Sequence, residues 1–182
     1  MTMRLFIALD LPDALKAELE KSASLLREAC TRASFAPRDN YHITLAFLGG
    51  VPSEQMEDIT LAMGSSVCRP IPLTIGGLGR FRRDGGDVFW RAVRAEDTLA
   101  HLRLSLTEAL AAKGIAADEE NAFRPHLTLA RQAVLREDVL FADLCTKMPD
   151  LHFTAAHMTL FHSQRISGKL IYTPLSLAHF PA

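Results

Sequence analysis

A five-residue segment of this 182-residue chain recurs with a single change: His42-Ile43-Thr44-Leu45-Ala46 returns, 84 positions further on, as His126-Leu127-Thr128-Leu129-Ala130. An extended strand turns successive side chains to opposite faces, so each copy carries its histidine and threonine on one face and its aliphatic residues on the other. The aliphatic face can enter a core. The polar face then offers an imidazole and a hydroxyl, about 7 Å apart along the strand, to a cleft. Apolar strands resemble one another because few residue types build them, but a polar pair repeated at the same spacing is rarely chance. Two such strands predict two related halves flanking one site.

The rest of the chain reads as a mixture of strands and helices. Arg4 to Asp10 is a buried strand, and Pro12 opens a helix with Leu15, Leu19 and Leu26 on one stripe. Tyr41 to Leu48 is a second strand, stopped by Gly49 and Gly50, and Ser53 is the expected N-cap of a helix running to about Val67. Ile71 to Phe81 and Asp87 to Arg94 flank the turn signal Asp84-Gly85-Gly86 and predict a hairpin. Thr98 to Lys113 places Leu99, Leu102, Leu106 and Leu110 in helical register and meets Gly114 as its stop. Then follow a strand over Pro125 to Arg131, a helix near Glu137 to Cys145, and strands over Leu151 to His162 and Leu170 to Ala178. With 48% hydrophobic residues and no divider or low-complexity tract, residues 1–182 are expected to form a single domain of the α+β class.

Charge narrows the function. A formal net charge of −1 and a pI near 6.6 supply no overall field toward nucleic acid or an anionic membrane, so any RNA contact must be local. Cys30, Cys68 and Cys145 lack the spacing of a disulfide framework or zinc knuckle and fit a reducing cytosol. The apolar run Leu5 to Leu9 is too short for a signal peptide, and no run is long enough to span a membrane. A cytoplasmic monomer, with no membrane partner, is the expectation.

The group best suited to a cleft between two His-x-Thr strands is a phosphate. Hydroxyls hold its non-bridging oxygens, and two imidazoles stand on opposite sides of phosphorus. Cleavage of a cyclic phosphodiester needs one neutral imidazole to deprotonate water and one protonated imidazole to supply the departing oxygen. The strained substrate demands neither metal nor cofactor. Lone histidines are usually structural, and His101, His152, His157, His162 and His179 receive that reading, His162 least securely. No His-Glu-x-x-His run marks a zinc site, no Gly-x-Ser-x-Gly marks a serine hydrolase, and no P-loop is present. Arg80, Arg82 and Arg83 on the hairpin, and Phe81, Trp90 or Phe161, are candidates for RNA contact, though aromatics ordinarily belong to half-buried strands.

Arg4-Leu5-Phe6-Ile7-Ala8-Leu9-Asp10, Tyr41-His42-Ile43-Thr44-Leu45-Ala46-Phe47-Leu48-Gly49, Phe123-Arg124-Pro125-His126-Leu127-Thr128-Leu129 and Tyr172-Thr173-Pro174-Leu175 together resemble the two-histidine (2H) phosphoesterases. Among these the chain is most similar to the bacterial RNA 2',3'-cyclic phosphodiesterases, also called LigT-like 2'-5' RNA ligases. The resemblance implies a bilobal fold whose pseudo-symmetric lobes turn antiparallel sheets toward a central cleft, with helices outside. It implies hydrolysis of RNA ends or nucleotides bearing a 2',3'-cyclic phosphate to a 2'-phosphomonoester. His42 would be the general acid at the 3' oxygen and His126 the general base on water. Thr44, Thr128 and Arg131 would bind the phosphate. Strict alternation sends Arg131 to the face of Leu127 and Leu129, so its role requires a bulge or an early strand end; otherwise it is a surface cation. Gly50 stands where many relatives carry an acidic residue. Two other readings are open: 2'-5' ligation by the reverse reaction at the same site, and a non-catalytic module that binds nucleotides or RNA ends.

Overall fold

The computed structural model describes residues 1–117 and 123–181. Its strands are β1 (Thr2–Asp10), β2 (Cys30–Phe35), β3 (His42–Pro52), β4 (Ile71–Phe81), β5 (Asp87–Arg94), β6 (His126–Leu135), β7 (Leu151–Ala155), β8 (His157–Ile166) and β9 (Lys169–His179). Its α-helices are α1 (Asp13–Ala29), α2 (Met56–Ser65), α3 (Thr98–Ala111) and α4 (Phe141–Thr146). The strands form two antiparallel sheets, one of order β3-β1-β8-β9 and one of order β2-β6-β5-β4-β7. This is the expected α+β architecture, with one His-x-Thr strand in each sheet.

The lobes are not contiguous halves of the sequence. β2 crosses into the second sheet and the β8–β9 hairpin returns to the first, so the first lobe is assembled from both ends of the chain and the second combines β2 with β4 to β7. Leu151 to His162, read as one strand, divides at Ala156: β7 pairs with β4 in the second sheet and β8 with β1 in the first. β2 has no clear signal in the sequence, because Cys30–Phe35 alternates weakly and continues directly from a helix.

Other boundaries move for local reasons. Gly49 and Gly50 do not end β3; Gly49 takes φ 69° where the strand bulges against β1, and pairing resumes as far as Pro52. Ser53 makes no capping bond. Its N–H donates to the Met1 carbonyl, a 3₁₀ turn occupies Ser53–Gln55, and α2 starts at Met56. β6 continues four residues beyond Arg131, and the helix expected near Glu137 is confined to Phe141–Thr146. The stop at Gly114 is as expected: with φ 70°, it places its own N–H on the Ala111 carbonyl and that of Ile115 on Leu110, closing α3 in a Schellman motif.

One continuous core holds the lobes together. The aliphatic faces of β1, β3, β5 and β6 pack with Leu15, Leu19 and Leu26 of α1 and Leu99, Leu102, Leu106 and Leu110 of α3, all buried. Arg91 is the exception in composition. Fully buried on the core face of β5, it donates to the carbonyls of Gly76, Ile75 and Pro149 and to Ser22 Oγ, tying β4, α1 and the approach to β7 together.

Candidate active site

Both His-x-Thr strands bulge at the same place. In β3, Ala46 pairs with Ile7 and Thr44 with Ala8, so Leu45 is the extra residue; in β6, Ala130 pairs with Phe89 and Thr128 with Trp90, so Leu129 is extra. The bulge lets two consecutive residues face the core, and Leu45 with Ala46, and Leu129 with Ala130, are all buried. The alternation therefore resumes one residue out of step. Arg131, which strict alternation would turn away from His126, comes round to the cleft, and in β3 the equivalent position is Phe47.

The cleft between the sheets has a volume of about 1180 Å³. His42, Thr44, His126, Thr128 and Arg131 all line it, so the structure brings every candidate site residue together. Matching hydrogen bonds orient the two imidazoles: His42 Nδ1 lies 2.7 Å from the Asn40 carbonyl, and His126 Nδ1 lies 2.8 Å from the Arg124 carbonyl, each two residues back. A carbonyl only accepts, so each Nδ1 carries a proton and each Nε2 is left for chemistry. In lobe one the Thr44 hydroxyl lies 3.0 Å from His42 Nε2 and donates to it when the imidazole is neutral.

Aromatic rings wall each histidine. Phe6 lies 4.9 Å and Tyr172 5.2 Å from His42, ring centre to ring centre, with Phe161 behind Phe6. Phe81 lies 5.5 Å and Trp90 6.0 Å from His126. Burial, the largest cause, pushes the His42 imidazole below the ordinary histidine range. The His126 and Arg131 charges act in the same direction, while the Asn40 carbonyl and Asp10, the cross-strand partner of His42, oppose them. Burial also raises the Tyr172 phenol, against the pull of Arg131 and Arg4, cations from the two lobes.

The remaining candidates sort differently. Arg80 pairs with Asp87 and stacks on Phe141, and neither it nor Arg82 nor Arg83 lines the cleft. His162 does not line the cleft either; His152 meets Thr74, and His157 meets His179. Phe6, Tyr172, Phe47 and Arg4 were not singled out individually by the sequence. Their common signal is alternation within strands whose faces become known only when the strands pair. Among the described residues no group of three His, Cys, Asp or Glu side chains is arranged to hold a metal ion.

Comparison with known proteins gives a consistent result. The family model described as "2'-5' RNA ligase superfamily" matches residues 11–166. An RNA 2',3'-cyclic phosphodiesterase of Archaeoglobus fulgidus is 32% identical over 148 residues, covering 80% of each chain. One of Geobacillus stearothermophilus is 33% identical over 130 residues, 70% of this chain but only 41% of that longer relative. The crystal structure of Escherichia coli LigT complexed with 3'-AMP superposes with a TM-score of 0.81 at 27% identity, covering 100% of both chains.

Proposed function

This chain belongs to the 2'-5' RNA ligase superfamily, and from that premise we propose that it hydrolyses RNA 2',3'-cyclic phosphate ends to 2'-phosphomonoesters. The observation that carries the reading is the pair of equivalent His-x-Thr strands, one per sheet, with both Nδ1 atoms committed to carbonyls and both histidines lining one cleft. His126 accepts a proton from water, whose oxygen forms a bond to phosphorus. The bond from phosphorus to the ribose 3' oxygen breaks in line, and His42 protonates that oxygen. The product is a 2'-phosphate and a free 3'-hydroxyl. Thr44, Thr128 and Arg131 hold the non-bridging oxygens, and the guanidinium matches phosphate geometry in a way a lysine would not.

His42 as acid must carry a proton although burial disfavours it. The substrate resolves the conflict: an anionic phosphate inside a partly desolvated cleft stabilises the imidazolium, so the acid is charged when the phosphate arrives. The chain works as one domain and as a monomer in the cytoplasm, where its three free cysteines, Cys30, Cys68 and Cys145, stay reduced. Ligation is the same displacement of the 3' oxygen with a 5'-hydroxyl in place of water as the nucleophile, and in water at low RNA concentration hydrolysis prevails.

The test is incubation of EDTA-treated protein with an oligoribonucleotide ending in 2',3'-cyclic phosphate, alongside His42→Ala and His126→Ala. A 2'-phosphate product, lost in both variants while binding persists, is expected. Binding of the cyclic end with no turnover between about pH 5 and 9, a range that spans histidine titration, would replace the enzyme with a binding module.

A further inference from the structure

Charge is distributed unevenly. The chain carries a net −1, yet among the described residues lining the cleft Arg4, Arg131, Arg165 and Lys169 are cationic and only Asp39 is a carboxylate. Arg131 belongs to the His126 strand. The other three stand in lobe one, at the ends of β1, β8 and β9, and none forms an ion pair with a carboxylate among the described residues.

Arg4 is the best placed of the three. The Arg131 position of β6 is occupied in β3 by Phe47, and the Arg4 guanidinium lies over the Phe47 ring, 4.8 Å from its centre. Lobe one thus receives from β1 the cation that its own His-x-Thr strand lacks. Stacking on the ring holds the guanidinium while leaving its in-plane N–H groups free for an anion. Phe47 pairs with Phe6, and Thr44 with Ala8, so the ring stands two β1 residues, about 7 Å, beyond the terminal-phosphate threonine. Adjacent phosphates on an extended RNA strand have a similar separation. Arg165 and Lys169, flanking the β8–β9 turn, extend the cationic surface in lobe one.

We propose that Arg4, supported by Arg165 and Lys169, forms a second phosphate subsite that takes the phosphate 5' to the terminal nucleotide. The subsite makes RNA oligonucleotides, rather than cyclic mononucleotides, the preferred substrates. This inference rests on the cyclic phosphodiesterase reading, and its test separates the two.

The kcat/KM of the wild type and of Arg4→Met, which keeps an unbranched side chain against Phe47 and removes the charge, is measured on a 2',3'-cyclic mononucleotide and on a dinucleotide with the same cyclic end. The wild type favours the dinucleotide by about tenfold or more, as expected of a charge-assisted contact, and the ratio falls toward one in the variant. The dependence of log kcat/KM on log salt for the dinucleotide becomes shallower by about 0.7, the share of one phosphate contact on a single strand. A wild-type ratio near one, or an equal loss on both substrates, overturns the subsite. Should neither substrate be turned over, the hydrolase reading falls, and affinities for the corresponding 2'-phosphorylated mono- and dinucleotide decide. A dinucleotide preference abolished by Arg4→Met upholds the subsite, and equal affinities overturn it.

Discussion

Gly79→Ala adds one methyl group on β4, on the far side of Trp90 from the site. A Cβ at Gly79 would lie 2.3 Å from Trp90 Cζ2 and 2.4 Å from Cη2, against about 3.4 Å for an ordinary contact, so the indole must retreat by roughly 1 Å. It has little room. Phe81 lies 5.0 Å from the indole and His126 6.0 Å, and the buried indole N–H has no partner among the described residues to guide a new position. Overpacking of this kind costs about 1–3 kcal/mol, and in a chain of this length each kcal/mol lowers Tm by about 2–4 °C. Displacing a wall of the His126 imidazole by roughly 1 Å lowers kcat by up to about 100-fold. Gly77→Ala is the control, since its Cβ would meet nothing within 4 Å and its stability change should stay within about 0.5 kcal/mol. Thermal unfolding and single-turnover kinetics read both effects. If Gly79→Ala matches Gly77→Ala in Tm and kcat, the indole does not brace His126 and the reasoning is wrong.

Three further outcomes follow from charge. Because burial depresses the His42 pKa in the free protein, and the acid must be protonated, kcat/KM should decline with rising pH from below the ordinary value of about 6.5, while the kcat limb lies higher because the bound phosphate favours imidazolium. Arg131→Met, which removes a cation that lowers His42, should move the kcat/KM limb upward; coincident limbs in wild type and variant would contradict the assignment. Arg91→Leu should destabilise the fold by about 3–5 kcal/mol in chemical denaturation, because the carbonyls of Gly76, Ile75 and Pro149 are left buried without that donor, and a loss under about 1 kcal/mol would show that desolvating the guanidinium offsets its bonds.

Much of the candidate site was legible in the chain because a strand's side-chain period is two. His42 with Thr44 and His126 with Thr128 announce a shared polar face without knowledge of neighbouring strands, and the leucine stripes of α1 and α3 announce their buried faces in the same way. Arg131 shows where this reasoning stops. Its direction depends on a bulge at Leu129, and a bulge is a mismatch between two strands, a property of pairing that neither strand carries alone. The same limit hid β2, divided Leu151 to His162 between two sheets, and left Arg4, Phe6, Phe47 and Tyr172 unrecognised as cleft residues. Local periodicity determined which residues could act together. Strand pairing, which sets β8 beside β1 and β9 beside β8, decided which rings and cations surround them, because those contacts join residues distant in sequence, such as Phe6 or Tyr172 with His42, and leave no periodic trace in the sequence between.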